Sequence, residues 1–222
     1  MILALAAALA AAPAPCPDVV TAEAFICRAI RATAENKSQD AAEAFEQAAL
    51  AIDESNPEAS RLWAAAGNMW IAAGQPGRAA LALDRALAGT GLQAEQRGEA
   101  LLDRARAAEA QNDLKTARTK VNEAAATISS DPFLWYFSAA LAIREGDGAT
   151  AKASIGRALV IEPNDPLILF EAGHVAQFTG DLAAARDYWT RASAADPNGA
   201  AGKAARDALA MLAAPQPAEP KP

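Results

Sequence analysis

Histidine and cysteine are scarce in this chain, aromatic residues are few, and no run of basic residues occurs. The 222 residues include one histidine, His174, and two cysteines. A histidine-based metal cluster is therefore excluded, and two cysteines without further spaced ligands make no zinc site. The formal net charge of −7 repels phosphate backbones. We predict no metal, no cofactor and no nucleic-acid partner.

Patterns that carry catalysis are also missing. No glycine-rich phosphate loop follows a strand, because no segment has the alternating pattern of a strand. A hydrolase assembled from Asp103, Glu109, Glu171 and His174 is the enzymatic alternative, but the sequence shows no nucleophile paired with a base among them. We therefore predict that the protein is not an enzyme, with no catalytic residues and no small-molecule substrate.

Alanine, in contrast, is abundant and recurs at a nearly fixed period. One series has intervals of 38, 34 and 34 residues, and a second series repeats the same intervals. The members are Ala79, Ala117, Ala151 and Ala185, then Ala86, Ala124, Ala158 and Ala192. A fixed period in this range is typical of a helical repeat array, in which each unit buries its apolar face against its neighbours.

Four further marks recur in register with the alanines. A large residue lies early in the first helix, at Trp63, Leu101, Trp135 and Leu169. A small residue lies in its middle at Gly67, Ala105, Ala139 and Gly173. A turn follows at Gly74-Gln75, Asn112-Asp113, Gly146-Asp147 and Gly180-Asp181. A bulky residue lies in the second helix at Leu83, Val121, Ile155 and Trp189. Small residues let two helices approach closely, and large ones fill the space between them.

These marks resemble the tetratricopeptide repeat (TPR), a unit of two antiparallel helices. The resemblance implies an all-α, right-handed superhelical solenoid with a C-terminal capping helix. We expect a repeat domain over 16–213, with units near 23–56, 60–93, 98–131, 132–165 and 166–199, a cap at 200–213 and a disordered Pro-rich tail at 214–222. The first unit fits less well, because Ile30 stands at the small position and Lys37-Ser38 replaces the glycine-containing turn.

The resemblance also implies a concave groove lined by the first helix of each unit. We expect a partner peptide or helix to bind there, anchored by Tyr136 and Phe170 and oriented by Arg106 and Arg144. The expected groove residues are Asn68, Arg106, Tyr136, Ile143, Arg144, Phe170, His174 and Phe178, with Cys27 and Arg31 on the same face in the first unit. The protein would be a scaffold or adaptor. A self-associating structural component, hence a homo-oligomer, is the alternative.

The N-terminal segment predicts where the protein acts. Residues 1–15 form an apolar stretch that is shorter than the ~20 residues of a membrane span and ends in Ala-x-Ala sites, as a signal segment does. We therefore expect export to the periplasm, a disulfide between Cys16 and Cys27, and no transmembrane span after the signal is removed. A cytoplasmic adaptor with two free thiols is the alternative.

Overall fold

The computed structural model describes residues 15–213, which fold into eleven α-helices and no strand. The helices are α1 (Ala22–Ala34), α2 (Ser38–Leu50), α3 (Pro57–Ala72), α4 (Pro76–Ala88), α5 (Ala94–Ala110), α6 (Leu114–Ala124), α7 (Pro132–Glu145), α8 (Gly148–Ile161), α9 (Pro166–Phe178), α10 (Leu182–Ala195) and α11 (Ala200–Ala213). The predicted tail and the predicted signal segment, apart from Pro15, lie outside the described residues. No helix within 15–213 combines the length and the apolarity needed to cross a membrane.

Consecutive helices pack as five pairs, α1/α2 to α9/α10, and α11 packs against α9 and α10 at the end. The all-α solenoid with a C-terminal capping helix is therefore confirmed. Helices α3 and α5 begin at Pro57 and Ala94, before the unit starts expected at residues 60 and 98.

Local sequence explains where the helices begin. Asn56, Asp131 and Asp165 each precede a proline, and their side chains accept hydrogen bonds from backbone N–H groups in the first turns of α3, α7 and α9. Proline suits the first turn because its missing N–H would have no partner there. The second helices α6, α8 and α10 also begin after a capping aspartate, at 113, 147 and 181, but without a proline.

The turn inside each pair uses one residue with positive φ. These residues are Asn36, Gly74, Asn112, Gly146 and Gly180. The left-handed conformation is unfavourable for most L-residues but accessible to glycine and, with less strain, to asparagine. Asn36, with φ of 57°, therefore takes the place of the turn glycine in the first pair. The expectation that Lys37-Ser38 forms this turn was wrong by one residue.

That one-residue shift also corrects the small position of the first unit. Counted from Asn36, the residue equivalent to Gly67 is Ala29, which is fully buried, whereas Ile30 is 60% exposed. Four alanines of α2 are buried, Ala41, Ala42, Ala48 and Ala49, and counted from Asn36 it is Ala41 and Ala48 that correspond to Ala79 and Ala86. The first pair therefore follows the same pattern as the others, and its face toward the groove includes Ile30 instead of Arg31.

Small and large residues meet inside each pair. A Cβ atom added to Gly67 would lie 2.4 Å from Cγ of Leu83, and one added to Gly173 would lie 2.2 Å from Nε1 of Trp189. The equivalent pairs are Ala105 with Val121 and Ala139 with Ile155. The two helices thus approach closely where the second helix carries its bulky side chain.

The core runs along the array as three apolar clusters. Leu87 packs against the clusters of the first and middle units, and Leu159 and Tyr188 connect the middle cluster to the one beneath α11. Each pair therefore buries its apolar face against its neighbours, as expected for a repeat array.

Candidate functional site

The first helices of successive pairs lie side by side, with α3 against α5 and α7 against α9. Their exposed side chains form one face with two cavities. The N-terminal cavity, of about 740 Å³, is lined by α1, α3, α5 and the start of α7, with Phe45 of α2 and Leu92 of the loop between α4 and α5. The C-terminal cavity, of about 530 Å³, is lined by α7 and α9.

The N-terminal cavity has an apolar lining. Its main apolar side chains are Ile30, Phe45, Met69, Leu92, Leu102 and Phe133. Leu92 comes from the loop between α4 and α5, where the backbone N–H of Gly91 donates to Ser60 Oγ at 3.4 Å. A Cβ atom on Gly91 would lie 1.8 Å from the carbonyl oxygen of Pro57, so this loop is held directly against the start of α3.

Polar groups of the N-terminal cavity converge on Asp103. Asn68 donates to Asp103 Oδ2 at 2.8 Å, and Arg106 donates to Asp103 Oδ1 at 2.8 Å. The Arg106 guanidinium also lies 5.5 Å from the centre of the Phe133 ring. Arg61 donates to the carbonyl oxygen of Gly91 at 3.3 Å. Arg106 therefore contacts a carboxylate of its own chain rather than lying free on the rim.

Glu99 lies one helical turn before Asp103 on α5 and has no such partner among residues 15–213. Burial raises the pKa of the Glu99 carboxyl above its ordinary value, and repulsion by Glu95, Asp103 and Asp131 raises it further. Asp131, which caps α7 by accepting from the N–H of Phe133 at 2.8 Å, also lines this cavity. The surroundings of Glu99 are consequently negative.

The C-terminal cavity holds the other predicted arginine and the histidine. Arg144 donates to Glu109 Oε1, to the Glu109 carbonyl oxygen at 3.1 Å and to Asn112 Oδ1 at 2.9 Å. His174 Nδ1 lies 3.5 Å from a carboxylate oxygen of the buried Glu171. The His174 ring also packs edge-on against Phe170, with ring centres 4.4 Å apart.

Six of the eight predicted groove residues line one of the two cavities, and two line neither. Asn68 and Arg106 line the N-terminal cavity, whereas Ile143, Arg144, His174 and Phe178 line the C-terminal one. Tyr136 and Phe170 line neither cavity. Tyr136 stacks on Phe133 at 5.5 Å, and burial raises the pKa of its phenol, with Glu171 and Asp165 adding to the effect. Phe170 packs against the core cluster beneath α11.

Sequence reasoning missed most of the N-terminal cavity, including Ile30, Leu92, Glu99 and Asp131. Ile30 could have been found from the register, because it occupies in α1 the place of Asn68 in α3. Leu92 belongs to a loop, for which the repeat pattern carries no signal. Asp131 precedes a proline as Asn56 and Asp165 do, so this recurrence could have located it as a cap.

The four residues of the enzymatic alternative do not form one site. Asp103 lies in the N-terminal cavity, paired with Arg106, and Glu109 pairs with Arg144. Glu171 and His174 form a pair on one helix in the C-terminal cavity. Within residues 15–213, no group of three histidine, cysteine, aspartate or glutamate side chains is arranged to hold a metal ion.

The structure pairs Cys16 with Cys27, and their Cα atoms lie 5.7 Å apart, in the usual range for a disulfide. Arg28 holds the same segment by donating to the carbonyl oxygens of Pro17 at 3.2 Å and Val19 at 3.0 Å. The residues before α1 are thus fixed against it at one edge of the array.

Solved structures share this fold. YrrB, described as a TPR protein with an unusual peptide-binding site, has a TM-score of 0.62 at 17% identity, covering 84% of this chain and 91% of that one. PilW, described as a widely conserved type IV pilus biogenesis factor, has a TM-score of 0.68 at 18% identity, covering 82% of this chain and 81% of that one. A tetratricopeptide repeat protein from Parabacteroides merdae has a TM-score of 0.68 at 15% identity, covering 86% of this chain and 73% of that one.

These similarities define the architecture. The chain is an α-helical solenoid, and within that class it has the tetratricopeptide repeat fold. Its sequence matches no protein-family model and no curated protein. The expectation drawn from the four recurring marks is thereby confirmed for the fold.

Proposed function

We propose that the protein is a non-enzymatic interaction module that binds a peptide or helix of a partner protein in its concave groove. One observation carries this proposal: two neighbouring cavities lie along the face formed by the first helices, and both combine apolar side chains with a few polar groups. Peptide and helix grooves in other proteins have the same composition, with apolar anchors and polar groups that fix orientation. A third cavity, of about 570 Å³, lies against α8 on another face.

Exposed apolar side chains give the groove its driving force. Ile30 is 60% exposed and Phe178 is 43% exposed, one in each cavity. Covering such surface contributes about 25 cal/mol for each Å² removed from water. Arg106 and Arg144 are paired with carboxylates of the protein. They would therefore orient a partner mainly through the N–H groups that these pairs do not use.

A blocked groove tests the proposal. Asn68 is exposed and lines the N-terminal cavity, so Asn68→Arg places a long side chain where the partner would lie. Asn122→Arg makes the same change on α6, away from the groove. A partner isolated from envelope extract with the wild-type protein should be retained by Asn122→Arg and lost by Asn68→Arg, with circular dichroism spectra unchanged. Equal retention by both variants would place binding elsewhere.

The proposed location is the periplasm. The apolar segment 1–15 supports export, and the pairing of Cys16 with Cys27 suits an oxidising compartment. The similarity in fold to a pilus biogenesis factor supports a role in envelope assembly or secretion. Protein taken from cells and treated with iodoacetamide before reduction should show no alkylation at either cysteine by mass spectrometry. Two alkylated thiols would favour the cytoplasmic adaptor.

A further inference from the structure

The N-terminal cavity combines apolar and acidic side chains in its lining. The apolar ones include Ile30 on α1, Met69 on α3 and Phe133 on α7. Two carboxylates, Glu99 and Asp103, follow one another along the α5 side at a spacing of one turn. Asp131 adds a third carboxylate at the start of α7.

The cations of this cavity do not balance these carboxylates. Arg106 pairs with Asp103 at 2.8 Å, and Arg61 is the other arginine in the lining of this cavity. The Arg61 guanidinium donates to a backbone carbonyl, that of Gly91. Repulsion by Glu95, Asp103 and Asp131 adds to burial in raising the pKa of Glu99. The lining thus holds three carboxylates and two guanidinium groups, a net negative charge, together with apolar side chains.

Resting on the groove binding proposed above, we infer that the N-terminal cavity receives a partner segment in which a lysine or arginine is flanked by apolar side chains. The apolar side chains cover Ile30, Met69 and Phe133, and the cation lies beside Glu99 and Asp131. An acidic segment would bring further negative charge next to Glu99 and Asp131 and would be repelled. The closeness of apolar and anionic groups therefore selects for a basic, apolar partner.

Defined peptides test the charge preference directly. The probes are the fluorescein-labelled peptide GSLFKLFSG, capped at both ends, and two counterparts with norleucine or glutamate in place of lysine. Fluorescence anisotropy with the full chain should give the lysine peptide a Kd roughly tenfold lower than that of the norleucine peptide, with the glutamate peptide weakest. The lysine advantage should disappear at 1 M salt, where screening acts over about 3 Å.

Variants assign the preference to these carboxylates. Glu99→Gln/Asp131→Asn removes two charges while keeping a capping side chain on α7, because asparagine caps well. Glu162→Gln/Asp181→Asn makes the matched change at the end of α8 and the start of α10. The lysine advantage should fall to within roughly twofold in the first variant and persist in the second. Glu99→Gln alone, at an exposed position, should give an intermediate loss.

The outcomes separate this inference from the proposed function. Equal binding of the lysine and norleucine peptides, or tightest binding of the glutamate peptide, would overturn the charge preference and leave groove binding intact. Failure of all three peptides to bind, or undiminished binding to Asn68→Arg, would overturn both. Light scattering that shows a dimer broken by Asn68→Arg would identify a second copy of the chain as the occupant and would also overturn the inference.

Discussion

The substitution Gly173→Ala places a methyl group where the Trp189 indole already lies. The added carbon would be 2.2 Å from Nε1, 2.4 Å from Cδ1 and 2.6 Å from Cε2 of that ring. Trp189 is 1% exposed, and its Nε1–H donates to the carbonyl oxygen of Phe170 at 3.0 Å. The ring therefore cannot move aside without disturbing the core beneath α11 and weakening this hydrogen bond.

The magnitude follows from two opposing effects. Alanine is better than glycine in a helix by about 1 kcal/mol. Overpacking a filled core costs about 1–3 kcal/mol, and the hydrogen bond contributes about 1 kcal/mol more when it is lost. We expect Gly173→Ala to lower the free energy of unfolding by about 1–3 kcal/mol.

Gly156 provides the matched control, because it lies in α8 with open space around the position of a Cβ atom. Gly156→Ala should raise the free energy of unfolding by up to about 1 kcal/mol. Urea denaturation followed by far-ultraviolet circular dichroism measures both changes. Equal stabilisation by the two substitutions would refute the packing argument.

A second test uses the pattern of the array itself. In the α7/α8 pair, Ala139 and Ile155 take the places of Gly173 and Trp189, so Gly173→Ala/Trp189→Ile rebuilds that combination. Residues in contact are not additive in their effects. Gly173→Ala should cost at least about 1 kcal/mol less in the Trp189→Ile background than in the wild type. The same cost in both backgrounds would contradict the small-to-large pairing.

Three further substitutions test the turns, a connection between units and the groove charge. Asn36→Ala should lower the stability by about 1 kcal/mol, because φ is 57° there, and Asn36→Gly should not; thermal unfolding distinguishes them. Arg118 bonds Ser138 Oγ at 2.8 Å and Glu145 Oε2 at 2.6 Å, so Arg118→Lys should cost about 1–2 kcal/mol in urea denaturation. Since the pKa of Glu99 is raised, its ionised form opposes folding above that pKa, and Glu99→Gln should raise the melting temperature at pH 7 but not below about pH 4.

The architecture could be predicted because every repeat unit has the same packing and turn requirements. Each small position, turn and capping residue recurs, so a pattern over several units identifies the fold even where one unit departs from it. The first unit departs from this pattern in two ways at its turn. Its left-handed residue is Asn36 rather than glycine, and Lys37 follows it where the capping Asp113 follows Asn112. The sequence therefore predicts a register for α1 that is one residue late.

The site could be predicted only in part, for a physical reason. The sequence places a side chain on a helix face, but it does not show which neighbour across the groove will pair with it. Arg106 and Arg144 lie on the expected face, yet Asp103, Glu109 and Asn112 already accept their hydrogen bonds. Glu99, in contrast, has no ion-pair partner among residues 15–213, and the fold, not the repeat pattern, brings Asp131 near it.

The size pairing inside each helix pair limits how this array can be recombined. Gly173 accepts Trp189, and Ala139 accepts Ile155, so each first helix is matched to its own second helix. A chimera joined at the turn of a pair, at Gly146 for example, would set an alanine against a tryptophan or leave a glycine opposite a smaller side chain. Junctions in the loops before Pro132 or Pro166 keep each pair intact. Grafting experiments on this chain should therefore exchange whole pairs.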